Sequence, residues 1–224
     1  MTPRILALDT TTEFGSIALV AGGAVVWETP LHSSEGFGQI VFDRIAAILE
    51  ACGWKLDQID CFAAAAGPGS FTGVRVGLAA VKGLAEALGR RVVGVSNLEA
   101  IAWHGTAPLR AAVADARRGQ IYGAVYDAKL ELVSPEVVMA FPEWLAALPA
   151  GELELLSTDP AAFGAALAGT RFERDGIREV PRALAGAIGR IAEERFLAGM
   201  ATDPAALDAS YVRRSDAELF WRES

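Results

Sequence analysis

Ile5-Leu6-Ala7-Leu8-Asp9-Thr10-Thr11-Thr12 and Leu109-Arg110-Ala111-Ala112-Val113-Ala114-Asp115 state one pattern twice: an apolar run that ends on aspartate. Each is followed by a polar turn, residues 10–13 and 116–119, and then by a second β-like segment, residues 15–21 and 120–126. Short apolar runs bounded by turn residues read as strands buried in a sheet. Gly22-Gly23 leads into a third segment at 24–29, since paired glycines supply the positive φ of a tight hairpin. Residues 130–139 hold the matching place in the second half. The chain therefore reads as a duplicated βββαβα unit, an α/β protein with lobes at 1–96 and 97–206 and a hinge near Ser96. Trp221 is an unusual residue for a free tail, so residues 207–224 are expected to dock back on the lobes.

Helices fill the intervals. Val41, Ile45, Ile48, Leu49 and Cys52 recur at helical spacing and Gly53 follows as a stop, which predicts a helix over 38–52. Residues 61–66 read as a buried strand, 72–88 as a helix, 91–95 as a strand and 97–104 as a helix. Beyond the third segment of the echo, helices are expected near 142–148, 160–168 and 183–198, with a strand at 153–157.

Between strand and helix lies Gly67-Pro68-Gly69-Ser70-Phe71-Thr72-Gly73-Val74-Arg75-Val76-Gly77-Leu78. Glycine inside a helix costs about 1 kcal/mol against alanine, so something must approach these glycines closely. One reading places a ligand over the turn, where free N–H groups and the helix dipole favour anions. The other, which is expected to win, places a second helix against the small face Gly73, Gly77 and Ala80. Val74, Leu78, Val81, Ala85 and Leu88 already form the stripe for the sheet. Phe37, Ile40 and Ala47 are likewise left over beside the 38–52 core stripe. The two helices would present an apolar patch of the kind subunit interfaces use, and Phe37, Ile40, Val41, Gly73, Val76, Gly77 and Ala80 are its candidate residues. Burial of both faces inside one chain, or a homodimer through the same patch, are the alternatives.

The remaining signals mostly exclude. With 224 residues, 52% of them hydrophobic, the chain can bury a sizeable core. A net charge of −8 argues against direct phosphate-driven nucleic-acid binding. The start shows no leader pattern and residues 19–27 are too short to span a bilayer, so the cytoplasm is expected, with Cys52 and Cys61 reduced. Residues 67–73 lack the Lys-Ser or Lys-Thr of a phosphate-binding Walker loop, and no acid ends the next strand as a dinucleotide site requires. Asp9 stands where a phosphate turn would carry its acid, but the turn holds no glycine before Gly15, so Asp9 is read first as a turn cap. Ser70 and Thr72 precede or open a helix and are read as caps before nucleophiles. Asp9, Thr10, Gly67, Gly69, Ser70, Thr72, Arg117 and Arg118 remain the candidate nucleotide or anion contacts.

Together, residues 5–12, 67–77, 94–100 (Gly94-Val95-Ser96-Asn97-Leu98-Glu99-Ala100), 115–122 (Asp115-Ala116-Arg117-Arg118-Gly119-Gln120-Ile121-Tyr122) and 211–219 (Tyr211-Val212-Arg213-Arg214-Ser215-Asp216-Ala217-Glu218-Leu219) resemble TsaB (YeaZ-like) proteins. That glycoprotease-like family implies the actin-like, Hsp70-like and sugar-kinase-like (ASKHA) fold. It implies a role in forming N6-threonylcarbamoyladenosine at position 37 of tRNAs reading codons that begin with A. In the family the chain is a noncatalytic partner of a related metal-bearing subunit, TsaD, met through the first two helices, and an ATPase, TsaE, joins the assembly. On that resemblance tRNA is reached only through the complex, the chain has no intrinsic cofactor, and ATP or ADP belongs at the complex interface. The catalytic relative carries His-x-x-x-His on its first long helix; here that region reads Gly36-Phe37-Gly38-Gln39-Ile40-Val41, and only His32 and His104 exist. No metal site and no catalytic residue are expected. The alternative is a free-standing enzyme of the same fold, a small-molecule kinase or a peptidase-like hydrolase.

Overall fold

The computed structural model describes residues 2–210 and Val212. The expectations placed on Tyr211, Arg213, Arg214 and Trp221, and on the segment 207–224 beyond Ser210, otherwise lie outside the described residues.

The aspartate-ended apolar run is β1 (Arg4–Asp9), apolar on both faces because it lies in the middle of a five-stranded sheet covered on both sides. It pairs antiparallel with β2 (Phe14–Ala21) and parallel with β4 (Cys61–Ala65); β3 (Ala24–His32) and β5 (Arg91–Val95) complete the order β3-β2-β1-β4-β5. Gly22 and Gly23, at φ 64° and 73°, form the turn between β2 and β3. The second sheet contains β6 (Leu109–Asp115), β7 (Gln120–Asp127), β8 (Leu132–Ala140), β9 (Leu153–Ser157) and β10 (Ile177–Glu179), ordered β10-β9-β6-β7-β8. Read from its other end, this is the first order with each strand replaced by its counterpart, so the duplication is present in the topology itself.

Alternation along β1 sorts the helices onto the two faces of the first sheet. Leu6 and Leu8 share a core with Ile17, Leu19, Phe62 and the buried residues of α1 (Val41–Ala51) and α2 (Phe71–Leu88). Ala7 and Val20 face the other way, against Gly189 of α5 (Ala185–Leu197). In the second sheet Val113, Ile121, Val125 and Leu155 pack with Phe141, Trp144 and Leu145 of α4 (Phe141–Ala147).

Three expectations are corrected. The chain divides into one unit of residues 2–100 with Pro181–Ala209 and another of Ile101–Val180, so a second lobe over 97–206 does not hold. The reason is α5: Gly186 lets it lie close on β3 and Gly189 on β2 and β1 of the first sheet, and the chain after it pairs Thr202 with Val92 of β5 and buries Leu207 in the first core. The helix expected near 160–168 is two short 3-10 turns, Pro160–Ala162 and Gly164–Leu167. The helix expected from residue 38 begins at Val41.

Candidate functional site

The end of β1, the loop after β4 and the start of α3 (Asn97–Trp103) meet inside the first unit. Asp9 is buried, and its Oδ1 accepts from the Thr11 backbone N–H at 2.9 Å and the Thr11 hydroxyl at 2.7 Å. This is the turn cap expected of an aspartate two residues before a hydroxyl. Burial pushes the Asp9 carboxyl upward, against the hydrogen bonds from Thr11 and Asn97 that pull it down. Sequence reasoning quoted Asn97 but gave it no role of its own; it opens α3, with Ser96 before it accepting from Leu98 N. Asn97 Nδ2 donates to Thr11 Oγ1 at 2.8 Å, and the Asn97 backbone N–H donates to the Gly67 carbonyl at 2.9 Å.

The glycine stretch closes on this turn. Ser70 caps α2, its hydroxyl accepting from Gly73 N at 3.3 Å, while its own N–H donates to the Thr11 carbonyl at 2.7 Å. Thr10 donates its hydroxyl to the Gly73 carbonyl at 2.7 Å. A Cβ at Gly69 would lie 2.7 Å from Thr11 Cβ, one at Gly77 2.6 Å from Thr10 Oγ1, and one at Gly73 would collide with the Thr10 carbonyl oxygen. The close approach that the glycines demand is therefore made by the chain's own β1–β2 turn. At Gly73 and Gly77 that place is taken by Thr10, which corrects the expectation of a partner helix against those two glycines.

The patch changes accordingly. Phe37, Val41, Gly77 and Ala80 are buried within the first unit, and Ile40, Gly73 and Val76 are half-buried. Phe37 is no residue left over: its ring lies about a contact distance above Gly15. The large apolar side chains these two helices do expose are Phe42, 53% exposed, and Phe71, 45% exposed, with the Arg75 guanidinium 3.6 Å from the Phe71 ring centroid.

The candidate nucleotide contacts split between units. Asp9, Thr10, Gly67, Gly69, Ser70 and Thr72 come together in the first; Arg117 and Arg118 sit on the exposed β6–β7 turn of the second. Both arginines hold positive φ, 63° and 56°, a conformation L-residues avoid, and Asp115 Oδ1 accepts from Arg117 N at 2.8 Å. His32 stacks on Phe14, ring centroids 4.8 Å apart. His104 ends the run after α3 in the second unit, its imidazole held below the usual value by burial and by Arg178. Among the described residues no cluster of three or more histidine, cysteine, aspartate or glutamate side chains is placed to hold a metal, and no helix is long and apolar enough to cross a membrane. Cys52 and Cys61 are free thiols, and burial pushes the Cys61 thiol up to about 12.

Two further acids, one buried and one half-buried, went unremarked in the sequence because their partners are backbone groups far away in the chain. Glu193 of α5, 3% exposed, accepts from Gly22 N at 2.7 Å and Gly23 N at 2.6 Å. Glu28 of β3 accepts from Gly186 N at 2.8 Å, beside Ser16 Oγ, which takes the Ala185 N–H at 2.9 Å.

Two sheets of one strand order, each with an aspartate-ended central strand and a tight turn, define a duplicated α/β protein of the actin-like, Hsp70-like and sugar-kinase-like class. The sequence model of the TsaD family, tRNA N6-adenosine threonylcarbamoyltransferase, matches residues 23–165. That is more than half of the chain, and the chain belongs to this family. Similar curated proteins are the tRNA threonylcarbamoyladenosine biosynthesis protein TsaB of Escherichia coli, 39% identical over 55% of this chain, and that of Bacillus subtilis, 33% identical over 63%. The chain spans 54% and 64% of these relatives' lengths. YeaZ from Pseudomonas aeruginosa superposes with a TM-score of 0.74 at 27% identity, covering 93% of this chain and 99% of that one. A second Pseudomonas aeruginosa structure, of a protein similar to peptidase YEAZ, reaches 0.76 at 28% identity over 94% and 100%. The chain is TsaB-like and YeaZ-like within the family.

Proposed function

We propose that this chain is a noncatalytic scaffold or activator subunit for the threonylcarbamoyl transfer that forms N6-threonylcarbamoyladenosine in tRNA. It pairs with a metal-bearing TsaD-like paralogue, and a TsaE-like ATPase completes the assembly. The observation that carries the reading is the turn after Asp9: a phosphate-cradling turn there would hold glycine, whereas this one has none before Gly15 and spends the Thr10 hydroxyl on the Gly73 carbonyl. The similarity to TsaB proteins supports the pathway, and the acidic net charge of −8 supports indirect contact with tRNA. ATP or ADP, on this reading, binds at the interface between subunits and not to the chain alone. The partner surface is re-centred on exposed Phe42, Phe71 and Arg75, beside half-buried Ile40 and Val76.

Reconstituted tRNA threonylcarbamoylation with the synthase, the paralogue and the ATPase of the same organism tests it. Product should require this chain. Full product in its absence, or ATP turnover by the purified chain alone, overturns the reading.

A further inference from the structure

The second sheet has one long edge that its own strands leave open. β10, at one end of the order, has three residues, whereas β8, at the other, has nine and no strand beyond it among the described residues. Such an edge offers unpaired N–H and C=O groups, and proteins cover or blunt it. β8 also carries two adjacent exposed aliphatic side chains, Leu132 at 52% and Val133 at 48%. Acids flank the pair: Glu131 is exposed, Glu136 is half-buried, and β8 contains no basic residue.

The chain itself arrives at this edge. Ser210 belongs to the second unit, and its hydroxyl donates to Glu136 Oε2 at 3.4 Å, while Tyr126 donates to Oε1 of the same carboxylate at 3.1 Å. Two residues further on, Val212 is half-buried. The sequence from Ser210 reads Tyr211-Val212-Arg213-Arg214, two apolar or aromatic residues and then two positive charges. That order matches an edge made of aliphatic side chains between acids.

We propose that residues 211–214 run antiparallel along the outer edge of β8, cover Leu132 and Val133, and set their two arginines beside Glu131. Tyr211, Arg213 and Arg214 lie outside the described residues, and their place is what the proposal supplies. An extended chain rises about 3.3 Å per residue, so the four residues after Ser210 span the same length as the four from Glu136 back to Leu132. Val212 then falls opposite Ser134, next to Val133, and Arg214 opposite Leu132, next to Glu131. Run the other way, the arginines would meet Met139 and Ala140, where β8 carries no acid. Pro135 has no N–H to give in the middle of this stretch, so side-chain cover carries the contact as much as backbone bonds do. Because Ser210 already stands at Glu136, the tether holds the segment at the edge at an effective concentration of about millimolar. The docking is independent of the proposed function.

Hydrogen exchange of the full chain, set against a chain ended after Ser210, tests this. Amides of residues 130–137 should exchange about tenfold faster in the shortened chain, while those of β6 keep their rates. Val212→Asp with Arg214→Glu, in a chain of full length, should give the same local quickening, and it decides where the shortened chain does not fold. Three results would each overturn the docking. One is unchanged exchange over 130–137 in both chains. Another is quickening shared equally by β6, which reports a damaged sheet. The third is protection of the full chain that grows with protein concentration, which assigns the edge to a second copy.

Discussion

Thr10 and Gly73 hold each other: the Thr10 hydroxyl donates to the Gly73 carbonyl at 2.7 Å, and the Thr10 carbonyl occupies the space a side chain at Gly73 would need. One residue of the β1–β2 turn thereby fixes both the position of the first turn of α2 and the residue type it must contain. Gly73 and Gly77 of α2 are thus answers to a contact within the chain.

Gly73→Ala and Gly83→Ala should consequently have opposite signs. Gly83 is exposed in mid-helix with nothing within 4 Å of a Cβ, so alanine there should stabilise by up to about 1 kcal/mol. At Gly73 the same propensity gain is outweighed by the collision with the Thr10 backbone, and a net loss of about 1–3 kcal/mol is expected. Urea unfolding midpoints of the two variants read the difference. Equal stabilisation at both sites would mean that the turn yields freely and does not fix the helix.

The duplicated succession of strands was legible because each half repeats an apolar run ending on aspartate, and α2 because Ser70 caps it as expected. The three-residue β10 was not, since Ile177-Arg178-Glu179 carries one apolar residue and owes its place to pairing with β9. The allegiance of α5 was not legible either. Its anchors, Ser16, Glu28, Gly22 and Gly23, lie more than 150 positions away in the chain, and no local pattern encodes such a bond. In the site, Asp9, Ser70 and the glycines were found by local turn chemistry. The identity of what fills the glycine space was missed, because helix-face arithmetic counts faces and cannot see a loop folding onto one.

Glu193→Ala should loosen the β2–β3 hairpin. The carboxylate is buried and makes two short charge-assisted bonds to Gly22 and Gly23, which are themselves exposed and can turn to water. The expected cost is about 2–3 kcal/mol, seen as a lower Tm, with faster amide exchange confined to residues 20–26 if unfolding is local. Unchanged exchange at Gly22 and Gly23 would remove the clamp from the account.

Glu28 gives the first unit a pH dependence. Burial raises its folded-state pKa above the ordinary 4.5, with the charge of Asp9 adding to the shift. The protonated form is then favoured in the folded state, so its stabilising contribution is complete below 4.5 and is lost as pH rises through the folded value. Glu28→Gln keeps an oxygen for the Gly186 N–H and removes the proton exchange. Its Tm should fall less than that of the wild type as pH rises from about 4 to about 8. A variant with the wild-type slope would place the pH dependence elsewhere.

Phe42→Glu and Phe71→Glu should separate binding from folding, which substitutions at the glycines cannot do. Gly77→Leu would drive a side chain into the Thr10 hydroxyl, 2.6 Å from the first added carbon, and any loss of a partner would then report a damaged fold. Phe42 and Phe71 are 53% and 45% exposed, so polar replacements there should change stability by no more than about 0.5 kcal/mol. At Phe71 the loss of the Arg75 contact is offset by placing an acid in the first turn of α2, where the helix dipole favours it. Aromatic anchors at the centre of an interface each contribute about 2 kcal/mol or more, so loss of one should weaken association with a TsaD-like paralogue by at least about tenfold. Co-elution and titration of the two purified subunits, with the Tm of each variant measured alongside, give the answer. Undiminished association of both folded variants would move the partner surface off α1 and α2, whereas loss of association with an unchanged Tm would place it on the side chains these helices actually expose.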